Sequence, residues 1–246
     1  MPRTQDLAES PSQQSAGPCD QNSHGLKLNV NSLPDIRGRQ EKMHQGLFIT
    51  FEGIEASGKS TQAEALARAL GPRALLTREP GGTPLGRRVR EILLDAATTP
   101  YPEVEALLFL ADRAQHLQEV VRPNVAAGRI VVSDRYQDSS VAYQAIGRGV
   151  GELVPAVFER IGGVTPDLTI LIDLDVDVAI GRLRARGAEN RLDAESPTFH
   201  GRVRQAFLDL AKAEPGRFEV FDGKADVAAL ATDILARVKS RFAGLV

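Results

Sequence analysis

The 246-residue sequence predicts an α/β fold built on a parallel sheet. Three observations predict it. Short apolar runs alternate with stretches of helical period. The segments between the runs are long enough for right-handed crossovers. The first run leads directly into a glycine-rich loop, and that loop opens a helix.

Residues 1–45 stand apart, being rich in Ser, Gln, Asn, Pro and Gly without apolar periodicity. They are expected to be a disordered extension, leaving 46–246 as the folded domain. Cys19, the one cysteine, lies in the tail, so no intramolecular disulfide can form and a reducing compartment fits. Met43 stands just before the domain and is an alternative start; a native mass that includes residues 1–42 would exclude it.

Five strands are expected, at 47-LFITFE-52, 73-RALLT-77, 130-IVVSD-134, 168-LTILID-173 and 217-RFEVF-221. Their β-branched and leucine-rich runs predict burial on both faces. A helix follows the loop from Thr61 to Leu70. Further helical faces are set by Leu85, Val89, Ile92 and Leu93, by Val104, Leu107, Leu108 and Ala111, and by Val227, Leu230, Ile234 and Val238. Pro84 and Pro102 suit first-turn positions, and Gly128 suits the end of the helix before the third strand.

Apolar residues are 42% and charged residues 25% of the chain, with a formal net charge of −2. That balance lacks the basic field of a nucleic-acid binder. No apolar run approaches the roughly 18 residues of a membrane span, and the N-terminus lacks the apolar centre of a signal peptide. A cytoplasmic protein with neither nucleic-acid nor membrane partners is expected.

Gly53-Ile54-Glu55-Ala56-Ser57-Gly58-Lys59-Ser60 matches the phosphate-loop pattern, with Thr61 continuing into the helix. The glycines let backbone N–H groups face the phosphates, and the helix N-terminus adds its positive dipole end. Lys59 would reach the β- and γ-phosphates of ATP, and the Ser60 hydroxyl would bind Mg²⁺. Glu55 is unusual, since an acid is unwelcome in a polyanion cradle unless it faces elsewhere. It is either a tolerated exposed residue or one aimed at a second substrate.

Asp134 ends the third expected strand and is the second candidate for the metal. No Asn-Lys-x-Asp guanine reader is present, and the chain is short for a motor, which leaves a small kinase. Arg78, Arg113 and Arg135 each fall near the ligand edge of such a sheet, and three guanidiniums suit a phosphorylated acceptor. The polar stretch 182-RLRARGAENRLDAESPTF-199 carries Arg182, Arg184, Arg186 and Arg191. It is either a charged surface segment or a lid that excludes water and delivers an arginine to the phosphoryl group. A kinase of another nucleotide, and a non-catalytic nucleotide-binding module, remain open at this level.

From Gly46 onward the sequence resembles the thymidylate (dTMP) kinase family. The segments that carry the likeness are FEGIEASGKSTQ, TREPGGTPLG, LLFLADRAQH, VVSDRYQDSSVAYQ, PDLTILIDLD and RARGAENRLDAESPTF. The resemblance implies a P-loop NTPase three-layer α/β/α fold with a five-stranded parallel sheet and a small arginine-rich lid at about 184–199. It implies direct in-line phosphorylation of dTMP to dTDP by ATP and Mg²⁺, in dTTP biosynthesis, by a homodimer. It assigns Glu55 to the sugar 3′-hydroxyl, Arg78 and Arg135 to the dTMP phosphate, and Phe109 to stacking on thymine. It assigns Arg113 and Ser140 to the base edge, and Tyr143 to the deoxyribose with Gln144 beside it. Glu55, Lys59, Arg135 and a lid arginine make up the catalytic set. Because Ala56 is not arginine, the family version with its catalytic arginine in the lid is implied. Arg191 is the first choice, ahead of Arg186 and Arg184. Ala56 also departs from the glycine usual there, so the backbone must suit a methyl group.

Overall fold

The structure, a computed structural model, describes residues 46–187 and 190–246. The extension with Cys19 and the alternative start Met43 lie outside the described residues.

Five strands form one sheet: β1 (Leu47–Glu52), β2 (Ala74–Arg78), β3 (Ile130–Asp134), β4 (Leu168–Asp173) and β5 (Phe218–Asp222). Their order is β2-β3-β1-β4-β5, and every neighbouring pair is parallel. The helices are α1 (Lys59–Leu70), α2 (Pro84–Leu94), α3 (Pro102–His116), α4 (Arg122–Ala126), α5 (Gln137–Ser140), α6 (Leu153–Arg160), α7 (Val176–Arg186), α8 (Pro197–Ala213) and α9 (Val227–Arg241). Two π-helical stretches, Leu117–Val121 and Val141–Gly147, prolong α3 and α5.

Strand alternation divides the core into two layers. Leu47, Ile49 and Phe51 of β1 pack with Ala63 and Leu66 of α1 and with Leu230, Ile234 and Val238 of α9. Phe48 points the other way, toward Leu117, Val121, Val125 and Phe158. On that same side Leu171 meets Val141, Val203 and Phe207. The result is a three-layer α/β/α arrangement. Because β1 lies between β3 and β4, the chain winds outward in both directions from it. The C-terminal ends of β1 and β3 therefore open a crevice at the point where the order reverses.

Four expectations about burial need correction, the first being Val227 at the start of α9, which is exposed while Leu230, Ile234 and Val238 are buried. Strands β2 and β5 are half-exposed, because they are the sheet's edges; Leu76 and Val220 are 40% and 50% exposed. On α2, Val89 and Leu93 are buried as expected, but Leu85 and Ile92 are exposed. On α3 the expected core face is the outer one. Val104 and Leu107 are exposed, while Glu105, Asp112, Arg113 and His116 are buried beside Phe109 and Leu110. Glu105, Arg113 and His116 are tolerated inside because residues of other elements pair with them, as set out below, and Asp112 accepts from the Gly81 N–H while its other oxygen is left without a partner. Pro84 and Pro102 open α2 and α3 as expected, since a first-turn residue needs no N–H partner.

Candidate active site

The crevice holds a cavity of about 410 Å³. The phosphate loop forms its floor. Gly53 and Gly58 have φ of +147° and +101°, and a Cβ at Gly53 would lie 2.5 Å from the Ile172 carbonyl oxygen. Helices α2, α8 and α9 are capped by the side chains of Thr83, Ser196 and Asp226. Helix α1 begins at Gly58 with no side-chain cap, so its first amides stay available to an anion. Buried Lys59 donates to the Ile54 carbonyl at 3.2 Å. Burial and Arg135 push its ammonium down to about 8, against the pull of Asp134, Glu55 and Glu52. Ala56 takes φ +56°, so the methyl group there sits in left-handed backbone that glycine would occupy without cost.

Of the residues expected at the site, Glu55, Ala56, Gly58, Lys59, Ser60, Thr61, Arg78, Phe109, Arg113, Asp134, Arg135, Ser140, Tyr143, Gln144 and Arg186 line this one cavity. Gly53, Ile54 and Ser57 contribute backbone behind it; Ile54 is packed in the core. Arg184 and Arg191 are absent from the lining.

Glu55 faces across the loop rather than toward solvent. Its Oε1 accepts from Arg135 Nη2 at 2.8 Å, its Oε2 accepts from the Tyr143 hydroxyl at 2.5 Å, and His200 Nδ1 lies 3.4 Å from the same oxygen. Burial raises the carboxyl's pKa, but Arg135, His200, Lys59 and Tyr143 together hold it down to about 2. The acid is thus fixed as a carboxylate. Arg135 also donates through Nη1 to Gly53 O and Ser139 Oγ, and its guanidinium lies over the Tyr143 ring.

At the far end Arg113 is 1% exposed and tied at every nitrogen. Its Nε donates to Glu79 at 2.8 Å, Nη1 to Ser140 Oγ at 2.9 Å and Nη2 to the Tyr136 carbonyl at 2.8 Å. Glu79 also meets His116 Nδ1, whose other ring nitrogen meets Thr77. This buried chain fixes the guanidinium plane. Phe109 packs with Val89, Leu93 and Leu192, and is at once core and cavity wall.

The lid reads differently from expectation. Leu192, Asp193, Phe199 and His200 are buried, so the stretch is anchored, not merely solvated. Arg191 pairs with Glu105 at 2.7 Å and donates to the Leu93 carbonyl at 3.1 Å, turned away from the cavity. Burial pushes Glu105 up, but Arg148, Gln144 and Arg191 bring its carboxyl below the usual range. Arg186, on the last turn of α7, lines the cavity and donates to Asp193 at 3.1 Å. Arg182 lines it as well, donating to the carbonyls of Ala56 and Gly223. Residues 182 and 186 are one helical turn apart and share a face, whereas 184 falls between them on another. Helical spacing thus turns Arg182 and Arg186 to the cavity, while Arg191, the first choice, lies outside its lining.

Arg90 was not anticipated. It lines the cavity from α2, donates to Pro80 O, and sits near enough to Arg78 and Arg135 that burial and their charges lower its pKa. Its signal in sequence was weak, being one arginine among three in 87-RRVR-90. Only Arg90 shares a helix face with buried Gly86 and Leu93.

A family model described as thymidylate kinase matches residues 51–234. A thymidylate kinase of Deinococcus radiodurans is 50% identical over 204 residues, covering 81% of this chain and 99% of that protein. One of Trichlorobacter lovleyi is 47% identical over 209 residues, covering 80% and 99%. The crystal structure of thymidylate kinase from Ehrlichia chaffeensis superposes with a TM-score of 0.66 at 34% identity, covering 79% of this chain and 98% of that one.

Proposed function

We propose, from the premise that this chain belongs to the thymidylate kinase family, that it phosphorylates dTMP to dTDP using ATP. The observation that carries the reading is the placement of Arg78, Arg90 and Arg135 in the same cavity as Lys59 and the bare start of α1. One end of the cavity suits the phosphates of a nucleoside triphosphate, and a cluster of guanidiniums suits a phosphorylated acceptor.

The acceptor's base would stack on Phe109 and meet Arg113, Ser140 and Gln144. Its sugar would lie against the hydrogen-bonded Glu55–Tyr143 pair, with Tyr143 on the side where a 2′-hydroxyl would be disfavoured. Its phosphate would meet Arg78, Arg90 and Arg135. A 5′-phosphate oxygen then attacks the γ-phosphorus in line. At neutral pH the acceptor phosphate needs no strong base, so catalysis reduces to positioning and charge neutralisation. Lys59 and Arg135, which line the cavity, would serve that, and Arg186 would be the lid arginine that meets the transferring phosphoryl. Ser60 and Asp134 would hold Mg²⁺. Their oxygens lie 2.5 Å apart, and Asp134 Oδ1 is buried without a protein partner, an arrangement of hard oxygen donors that fits such an ion. Bound there, the ion would neutralise charge on the β- and γ-phosphates.

No described helix is long and apolar enough to cross a membrane, and the proposed setting is cytoplasmic dTTP biosynthesis. The exposed apolar residues Leu85 and Ile92 on α2, with Val104 and Leu107 on α3, favour a homodimer through these packed helices. Sedimentation of Leu107→Glu as monomer and wild type as dimer is expected; a monomeric wild type would remove that part of the reading.

The decisive assay follows ADP release from ATP with dTMP, dUMP, UMP, CMP or thymidine as acceptor. Turnover is expected to be highest with dTMP. A preference for a ribonucleotide, or no ADP with any of the five, would overturn the proposal.

A further inference from the structure

We propose that Glu52 is a positioning residue for the acceptor arginine, acting on Arg135 through the Ser139 hydroxyl and the Tyr136 amide. The inference rests on the reading of Arg135 as a contact to the acceptor phosphate.

Glu52 ends β1 and is 0% exposed; it does not line the cavity. Its Oε2 accepts from Ser139 Oγ at 2.5 Å, and Ser139 Oγ in turn accepts from Arg135 Nη1 at 2.8 Å. Its Oε1 accepts the Tyr136 N–H at 2.9 Å. The carboxyl therefore grips both the guanidinium, through one hydroxyl, and the backbone that immediately follows Arg135.

That backbone needs an anchor. Arg135 has φ +73°, a left-handed conformation that is strained for a non-glycine residue. Such strain persists where the surroundings over-determine it. Here the Arg135 N–H donates to Phe51 O at 2.9 Å, the Ser133 hydroxyl donates to Arg135 O at 2.8 Å, and Glu52 holds the next amide. The left-handed turn is what swings the side chain from the end of β3 across the loop to Glu55 and Tyr143. A buried carboxyl is a poor choice for stability alone, since an apolar residue of similar volume does as well or better in such sites. The partners of Glu52 supply its reason: both lead to one functional guanidinium.

The test compares Ser139→Ala, Glu52→Leu and Glu52→Gln with wild type, reading the KM for dTMP and the KM for ATP separately, with melting curves. Losing one hydrogen bond to the guanidinium predicts an about ten-fold rise in dTMP KM for Ser139→Ala, and Glu52→Leu, which loses the bonds from both Ser139 and the Tyr136 N–H, should raise it at least as much. The KM for ATP should stay within about two-fold, because only the acceptor arginine is displaced. The double variant Glu52→Leu/Ser139→Ala should be no worse than the worse single, since the two residues form one chain. Glu52→Gln should lie between wild type and Glu52→Leu, because its carbonyl keeps the Tyr136 N–H and its amide can donate to the second lone pair of Ser139 Oγ, but the Ser139 hydroxyl proton loses its acceptor. Should Glu52→Leu fail to fold, Ser139→Ala decides by itself. An unmoved dTMP KM in Ser139→Ala, an equal rise in both KM values, or multiplying effects in the double variant would overturn the role. A wild type that makes no ADP with dTMP would defeat the acceptor reading instead, so the two failures are distinguishable.

Discussion

Arg135 on the acceptor wall and Arg186 on the lid face the same cavity, but they are held in opposite ways. Arg135 has 16% of its side chain exposed and donates to Gly53, Ser139, Glu55 and Tyr143. Arg186 has 46% of its side chain exposed at the C-terminal end of α7. A saturated buried guanidinium is oriented before any ligand arrives, which costs nothing at the moment of reaction. An exposed one at a helix end can move to where charge develops. On the proposed reading, the locked guanidinium recognises the acceptor, and the half-exposed one, held by Asp193, is left to meet the charge of transfer.

The largest expected effect tests the lid side of that contrast. Arg186→Ala is expected to lower kcat by roughly 10²–10³-fold, the usual cost of one transition-state donor, with little change in dTMP KM. Arg191→Ala should cost less, because Arg191 lies off the cavity against Glu105 and the Leu93 carbonyl, whereas Arg186 lines it. Steady-state kinetics on both variants check this ranking. If Arg191→Ala proved the more damaging, the lid would have to exchange the Glu105 pair for the phosphoryl group, and Arg186 would lose its assignment.

A smaller effect concerns the wall, where two glutamates three residues apart titrate in opposite directions. Glu55 is held down from its usual 4.5 to about 2, so its stabilising contribution is present above pH 4.5 and is lost as pH falls toward 2. The shift corresponds to roughly 3 kcal/mol. Glu52 is pushed up to about 8 by burial and by Asp138, against Ser139, Arg135 and the Tyr136 amide. Its contribution is full below pH 4.5 and fades as pH rises through about 8. Urea midpoints from pH 3 to pH 9 should therefore lose their acid-side dependence in Glu55→Gln and part of their alkaline decline in Glu52→Gln. Parallel curves for wild type and both variants would show that neither carboxyl differs between folded and unfolded chains.

The smallest effect lies where wall and lid meet. The Ala56 carbonyl accepts from Arg182, next to Glu55, and the residue has φ +56°. Ala56→Gly is expected to raise stability by about 1 kcal/mol by releasing that strain. A lower melting temperature for the variant would mean that the loss of unfolded-state restriction outweighs it.

The phosphate loop, the five strands and most cavity residues were legible because they are written in short spacings. The strand, the two glycines and the Lys-Ser pair lie within one stretch, and the loop's geometry follows from them. The face of α3 was misread for a physical reason. Periodicity counts apolar residues, and Val104, Leu107, Leu108 and Ala111 form a good stripe. It does not register that Arg113, Glu79 and His116 can be buried once they pair, which requires partners 34 to 37 residues away. Phe109 stood on the boundary: its type predicts core, the resemblance predicts stacking, and it is at once packed in the core and part of the cavity wall. In the lid, composition pointed to arginines, but helical phase selected among them. That Arg191 would meet Glu105 and Leu93 could not be inferred from neighbours in sequence.

By itself the sequence determined the fold class, the phosphate loop, the family and the residues from which an acceptor site could be made. These rest on local spacing and on motifs that occur in order. Tertiary structure decided which charges are buried, which guanidinium is locked and which lid arginines face the cavity, and that Glu52 reaches Arg135 through Ser139. Those outcomes depend on the strand order that sets β3 beside β1, and on ion pairs between distant residues that no spacing rule encodes.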